Sequence, residues 1–462
     1  MVGTVSKRAA VAVGTAALIA AILSGALTSA SVLLLSVALG LAVGTALIVL
    51  QPRLIYRMVG ATLGGLPFAS LPAAGPAVLV LAVATAGTLL TRPIRDRPLH
   101  PVEWATVLLV AVSSASVVHT ATSAVHLTEF AKWTVASGFL VVLLRLDDAD
   151  SRLVQRSFAV GAAVGGGVSL ALLAFDRAGT ALRFLAPIGY GIPDNTGSTL
   201  RVAEVAGTTV TRLAGTYVHP NYAGIFLLVG LALALARTAG TLRTVTSLVI
   251  AVALIATLSR AAVGTVVVAG LLFLLFQKLN GRVRIGVIGA SLCAALAVAR
   301  VPTVTARLAG SFGASDAGSS DRARALADFV PSMEGRWWFG RGWGAKELLD
   351  EIAGFQANYV ANAPLLAVYR GGVLVGIVFT ALLVVGSVAA YRRLRTPLWT
   401  NGIIGASFLA FVLVAMQLDF PVVTSPPVTM AFGVLLAAVV SAPAVADEPE
   451  RHPQPVTTGG AS

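Results

Sequence analysis

Charge is scarce in this chain. Asp, Glu, Lys and Arg make up 11% of its 462 residues, against 57% in the hydrophobic set and a mean hydropathy of +0.87. A soluble domain of this length needs many more charges to solvate its surface, which excludes the soluble classes. Cysteine is nearly absent: Cys293 is alone, so an internal disulfide and a Cys-based metal cage are excluded, and its apolar surroundings make it a helix-packing residue. The five histidines (His100, His119, His126, His219 and His452) show no ligand spacing with Asp or Glu, so neither a metal site nor another cofactor is expected. Lysine is confined to Lys7, Lys132, Lys278 and Lys346, and no internal repeat suggests the inverted halves of a transporter.

What the chain has is long apolar runs. A helix needs about 20 residues to cross roughly 30 Å of hydrocarbon. Runs of that kind cover 9–28, 31–50, 102–120, 128–144, 157–175, 221–236, 244–258, 261–277, 285–299, 363–390, 400–417 and 423–444. The stretch 58–91 is apolar but interrupted by Gly64-Gly65, Pro67, Pro72 and Pro76, and reads either as two minimal spans or as one re-entrant hairpin. Lys7 and Arg8 ahead of an apolar run resemble the start of a signal peptide. A second run follows at once, so a hairpin of membrane helices is expected instead. The fold class is all-α: a polytopic transmembrane helix bundle of about 12 or 14 spans. It divides into N-terminal transmembrane helices (1–175), a second transmembrane region with long loops (176–446) and a polar, Pro-rich tail (447–462) expected to be disordered.

The net charge of +13 does not indicate nucleic acid, because its carriers lie between apolar runs, where topology places them. Lys7/Arg8, Arg53/Arg57, Arg92/Arg95/Arg97, Arg145/Arg152/Arg156, Arg237/Arg243, Lys278/Arg282/Arg284 and Arg392/Arg393/Arg395 fall on one side if the helices alternate. The positive-inside rule makes that side the cytoplasm and puts both termini there, in the inner (plasma) membrane of a bacterium. Alternation also requires Arg57 and Arg92 to share a side. Two polar segments, 176–220 and 302–362, then become long extracytoplasmic loops, the second of roughly 60 residues and far beyond an ordinary connection.

Most of the unusual residues lie in or beside those loops. The chain reads Arg212-Leu-Ala-Gly215-Thr216-Tyr217-Val-His219-Pro220-Asn221-Tyr222-Ala-Gly224, and the next outward helix end reads Thr257-Leu-Ser259-Arg260. The second loop carries Asp321-Arg322, then Trp337-Trp338-Phe339-Gly340-Arg341-Gly342-Trp343-Gly344, and ends in Asn358-Tyr359-Val-Ala361-Asn362, with Leu365, Gly372 and Gly376 beyond. Arginine offers a rigid fork of donors that matches phosphate oxygens. Aromatic rings suit sugar faces and the headgroup region. Such a set fits a lipid-linked diphosphate whose tail stays in the bilayer. Plainer readings stand beside this one. Arg260 can snorkel to the interface, the tryptophans can anchor there, and Asn221, Asn362 and His219 can cap helices. The glycines of 340–344 do not make a nucleotide loop, because no strand precedes them.

Taken in order, Arg-x-x-Gly-Thr-aromatic…Pro-Asn, Thr-x-Ser-Arg, an Arg-bearing loop with Phe-Gly-x-Gly-x-Gly, and Asn-x-x-Leu…Gly-x-x-x-Gly resemble the O-antigen ligase/polymerase family, over roughly 212–377. The resemblance implies a metal-independent glycosyltransferase of the C fold, with no cofactor. Such an enzyme moves a glycan from a lipid-linked oligosaccharide donor, undecaprenyl diphosphate, to a glycan or lipid acceptor outside the cytoplasmic membrane. It implies that Arg212, Arg260 and Arg322 hold the diphosphate, Arg324 being an equally placed alternative to Arg322, and that Asn221 and Asn362 belong to the substrate site. The family's proposed general-base histidine is Ala361 here, and His219 is the remaining histidine within the motifs. An imidazole of ordinary pKa suits a base at neutral pH.

Three readings follow, in this order: a glycan ligase or polymerase; a transporter of lipid-linked sugars, which needs ionisable residues near mid-span; and a catalytically impaired relative that binds or scaffolds. Glu103, Glu129 and Lys132 sit near span ends, against the transporter. Nothing in the sequence sets the sugar, the acceptor or the oligomeric state. The topology is testable with single cysteines in a Cys293→Ala background. A membrane-impermeant maleimide added to intact cells should label Ala317→Cys and spare Arg95→Cys, and the opposite pattern inverts the topology.

Overall fold

The computed structural model describes residues 44–71, 75–92, 97–176, 181–190, 202–205, 208–282, 284–289, 300, 317–343, 362–416, 423 and 425–441. The expected spans at 9–28 and most of 31–50 and 285–299, together with Cys293, Ala361, Asn358 and the tail, lie outside the described residues.

The described chain is almost entirely helical. Its helices are α1 (Pro52–Gly65), α2 (Ala77–Thr88), α3 (Pro101–Thr120), α4 (Ala124–Arg145), α5 (Asp148–Phe175), α6 (Pro220–Arg237), α7 (Gly240–Ala256), α8 (Arg260–Phe276), α9 (Ala317–Ser332), α10 (Ala363–Gly371), α11 (Val373–Leu394), α12 (Trp399–Ala415) and α13 (Pro426–Val440). Two small antiparallel hairpins interrupt the all-α expectation: β1 (Ser70–Leu71) with β2 (Gly75–Pro76), and β3 (Val202–Val205) with β4 (Thr208–Thr211). Among the described residues five helices, α3, α4, α5, α6 and α11, are long and apolar enough to cross a membrane. A sixth span is possible if the segment Gly44–Leu50, bent by 113° from α1, counts with it. Helices α2, α7, α8, α12 and α13 are shorter and apolar. The chain is thus a membrane-embedded, multi-pass bundle.

Proline and polar caps set the helix starts. Pro101 opens α3 behind a capping box, with His100 Nδ1 accepting from the Val102 amide (3.2 Å) and Glu103 accepting from the His100 amide (2.7 Å). Asn362 caps α10 by accepting from the Leu365 amide at 2.9 Å. The apolar run 363–390 is not one helix. It breaks at Gly372, whose φ of +86° is open to glycine, and a Cβ there would also strike the Trp338 carbonyl.

The segment 58–91 goes in and comes back. Arg53 at the start of α1 and Arg92 beyond α2 both reach Asp150 of α5, at 3.5 and 2.9 Å. Other basic loops among the described residues gather at the same end. Glu103, fully buried, lies between Arg145 (2.7 Å) and Arg97 (3.3 Å). Arg237 donates to Gln155 and to the Ala438 carbonyl, Arg393 to the Val439 and Val440 carbonyls, and Gln277 to the Thr396 carbonyl. The Arg243 guanidinium lies over the Trp399 ring, 4.9 Å from its centroid. These contacts bring the described basic loops together at one end of the bundle.

The closest seam joins α1 to α5. A Cβ on Gly60 or Gly64 would meet the Val154 or Phe158 carbonyl, and one on Gly161 or Gly165 would meet Ala61 or Gly65 backbone. Small residues that let two backbones touch are the usual interface in lipid, where packing takes the place of a hydrophobic drive. Gly161→Val is expected to cost about 3 kcal/mol or more through overpacking, read as loss of monodisperse protein and a lowered Tm in detergent. Gly138→Ala, with nothing within 4 Å of the added carbon, should leave both unchanged.

Candidate functional site

At the end of the bundle opposite the basic loops, Arg212 is fixed by two neutral oxygens. Its Nε donates to the Thr257 carbonyl at 2.9 Å and Nη2 to Asn221 Oδ1 at 3.0 Å. The Leu213 amide donates to the Ala256 carbonyl at 3.0 Å, so the strand end carrying Arg212 is stitched to the end of α7. The next three residues of the motif anchor that strand end. Gly215 takes φ +51° against Ser169 of α5. The Thr216 amide donates to Ser169 Oγ (3.1 Å), and Tyr217, fully buried, donates from its hydroxyl towards the Gly64 and Ala162 carbonyls (3.1 and 3.2 Å). The Gly-Thr-Tyr signature thus seats Arg212 on the glycine seam.

His219 and Asn221 divide the work differently from the plain capping expectation. His219 Nδ1 accepts from the Asn221 amide at 3.1 Å and is the cap of α6, which leaves the Asn221 side chain to hold Arg212. Burial, and then the nearby Arg212 cation, push the His219 imidazole down to about 4. It is neutral at pH 7 and a weak base, which weighs against the general-base role that an ordinary imidazole suggests.

Arg260 opens α8 behind Ser259, whose amide donates to Thr257 Oγ1 at 3.1 Å. The starts of α6 and α8 touch: a Cβ on Gly224 would lie 2.7 Å from the Ala262 Cβ and 3.2 Å from Ser259. Two helix N-termini, with Arg212 and Arg260 beside them, therefore meet in one corner, a setting that favours an anion. Two non-glycine residues with positive φ flank it, Val218 at +64° and Leu258 at +50°. For a β-branched residue this is an outlier that only its surroundings can impose, and such residues gather at functional sites.

Asn362 lies at the same end but on another contact, its Nδ2 donating to the Met416 carbonyl at the end of α12 (2.7 Å). Arg322 falls within α9, and its side chain, like that of Arg324, lies outside the described residues. The tryptophans separate. Trp338 is 77% exposed, as an interfacial anchor should be, whereas Trp343 is buried against Trp133 at 4.2 Å between ring centroids. The Thr257 carbonyl, Val218 and Leu258 were not legible as site residues, because the function of each resides in backbone geometry. Among the described residues no group of three His, Cys, Asp or Glu is placed to hold a metal. No protein-family model matches the chain, and no curated protein matches it. The family likeness therefore rests on the motif residues alone.

The lowered imidazole has a stability consequence. Above pH 6.5 His219 is neutral folded or unfolded. As pH falls towards 4 the unfolded chain takes up the proton and the folded one does not, so stability drops, by about 3 kcal/mol as an upper bound for a ring not fully enclosed. His219→Asn keeps an acceptor cap without titrating. Its thermal unfolding in detergent should lose less between pH 7 and 4.5 than the parent's, and equal losses refute the assignment.

Proposed function

We propose that this protein is a glycan transferase of the outer face of the cytoplasmic membrane, ligating or polymerising undecaprenyl-diphosphate-linked oligosaccharides during cell-surface polysaccharide assembly. On this reading the basic end faces the cytoplasm together with both termini. The segments 176–220 and 302–362 lie outside, and the undescribed apolar runs bring the spans to about 12 or 14. The observation that carries it is the oriented guanidinium of Arg212, held by the Thr257 carbonyl and Asn221 at the joined N-termini of α6 and α8. Held cations and helix N-termini stabilise a departing diphosphate without reorganising during reaction. Arg260 is the second cation of that corner, and Arg322 and Asn362 complete the substrate set. His219 acts by positioning Asn221.

A second reading is favoured by particular residues. Ala361 stands where a base is expected, and the His219 ring is committed to a cap. A relative that binds lipid-linked glycan without turning it over has the same anion corner and needs no base.

The test is a deletion strain complemented with variants, scored by surface polysaccharide and by accumulation of lipid-linked intermediate. Arg212→Ala and Arg260→Ala should each lower transfer about 100-fold or more at normal protein level, the scale of a lost transition-state donor. Lysine should rescue poorly, because it keeps the charge but not the fork. Full transfer in both alanine variants refutes the proposal. A parent without turnover whose Ala361→His variant acquires it identifies the binding relative.

A further inference from the structure

The break between α10 and α11 shapes a second feature, away from Arg212. The turn Trp337–Trp343 is laced onto it by backbone hydrogen bonds: the Arg341 amide to the Tyr369 carbonyl (2.7 Å), the Gly342 amide to the Arg370 carbonyl (3.0 Å) and the Val373 amide to the Trp337 carbonyl (2.8 Å). Ser116 of α3 adds a fourth bond, from its hydroxyl to the Phe339 carbonyl at 2.6 Å, and His119 stacks on the Phe339 ring at 4.0 Å. Gly340 and Gly372, both with positive φ, let the two backbones lie against each other. The result is a fixed groove of about 280 Å³ between α3 and α11. Ala111, Ala115, Phe339 and Leu374 form its sides, and Trp338 stands at one edge.

Two features decide what occupies it. Both walls are membrane-length helices with outward apolar faces (Leu108, Leu374 and Ile377 are half exposed or more), so hydrocarbon is what meets the groove from the side. Arg336, exposed and without an ion pair among the described residues, opens the turn that carries Trp338, and an arginine beside an exposed tryptophan at the end of membrane-length helices is the pairing that suits a lipid headgroup. The one hydroxyl of the lining, that of Ser116, is already bonded to Phe339. Slightly below the roughly 300–1,000 Å³ of small-molecule pockets, the groove is sized for a single chain.

We infer that this groove is a binding site for one acyl chain of an anionic membrane phospholipid, with Trp338 as its lid and Arg336 as the headgroup contact. The site is preformed, since four hydrogen bonds and two glycines fix its walls before any lipid arrives. It does not depend on the transferase reading, and it would serve any activity that needs this end of the bundle held in register with the membrane surface.

The experiment uses the full chain in mixed micelles and phosphatidylglycerol bearing a diazirine on one acyl chain, with cross-links mapped by peptide mass spectrometry. Saturable labelling is expected at 111–116 and 371–374, competed about fivefold better by unlabelled phosphatidylglycerol than by phosphatidylcholine, as one basic residue at a headgroup supports. Ala115→Phe, which fills the groove from its lipid-facing side, should remove most of that labelling. Arg336→Glu should abolish the preference for the anionic head while leaving the chain contact. Size-exclusion profiles matching the parent's confirm that both variants are folded, and Ala111→Phe serves where Ala115→Phe does not match. Labelling that does not saturate and spreads over all exposed helix faces shows annular lipid only and overturns the proposal. Saturable labelling that survives the groove-filling variant overturns it as well.

Discussion

The contact on which the architecture depends is the glycine seam between α1 and α5. Gly60, Gly64 and Gly65 of α1 and Gly161 and Gly165 of α5 lie so close to the facing helix that a Cβ at any of them would strike its backbone. In lipid such a contact holds because small residues give two backbones a large area of close van der Waals packing. Both ends of the molecule are set from this seam. At one end Asp150 of α5 collects Arg53 and Arg92 and closes the α1–α2 hairpin. At the other, the Tyr217 hydroxyl finds the Gly64 and Ala162 carbonyls, and the register it imposes reaches Arg212 five residues earlier.

The arginines of the basic end do more than mark topology. Arg237 and Arg393 donate to carbonyls of the last turn of α13, and Arg97 donates to the Leu144 carbonyl near the end of α4. Carbonyls at a helix C-terminus have no partner within the helix, and the end carries partial negative charge, so a guanidinium answers both needs at once. That is an acute need in short apolar helices such as α13, because a backbone carbonyl left unpaired near hydrocarbon is costly. Glu103 shows the converse case. It is fully buried at the start of α3 and tolerated because two arginines and the His100 amide surround it.

Apolar runs bounded by arginine and proline announced themselves in the sequence, and helices α3, α4, α6, α7, α8, α12 and α13 lie within a few residues of where those runs place them, whereas α5 begins well before its run, at Asp148, because its first turns are polar. The break at Gly372 did not, because both of its sides are apolar and a Gly-Gly pair within a span is as compatible with close packing as with a turn. The site was legible as a set of residues and not as a set of roles. Asn221 looks like a cap, yet it holds Arg212 because His219 already caps. Trp343 looks like an interfacial anchor and is core. Side-chain chemistry is written in the residue type, whereas which of two adjacent polar groups takes an amide depends on the local backbone, and that is set by packing elsewhere.

Val218 and Leu258 make that dependence concrete. Neither side chain favours positive φ, which for such residues costs on the order of 1–3 kcal/mol. At Leu258 the turn ends α7 beside Thr257, whose carbonyl takes the Arg212 guanidinium. At Val218 the turn sets His219 at the head of α6, which frees Asn221. Each strained residue thus places one of the neutral oxygens that orient the guanidinium. Strain held in place by the glycine seam, and spent on neutral acceptors, is what keeps this guanidinium rigidly oriented at the paired helix N-termini.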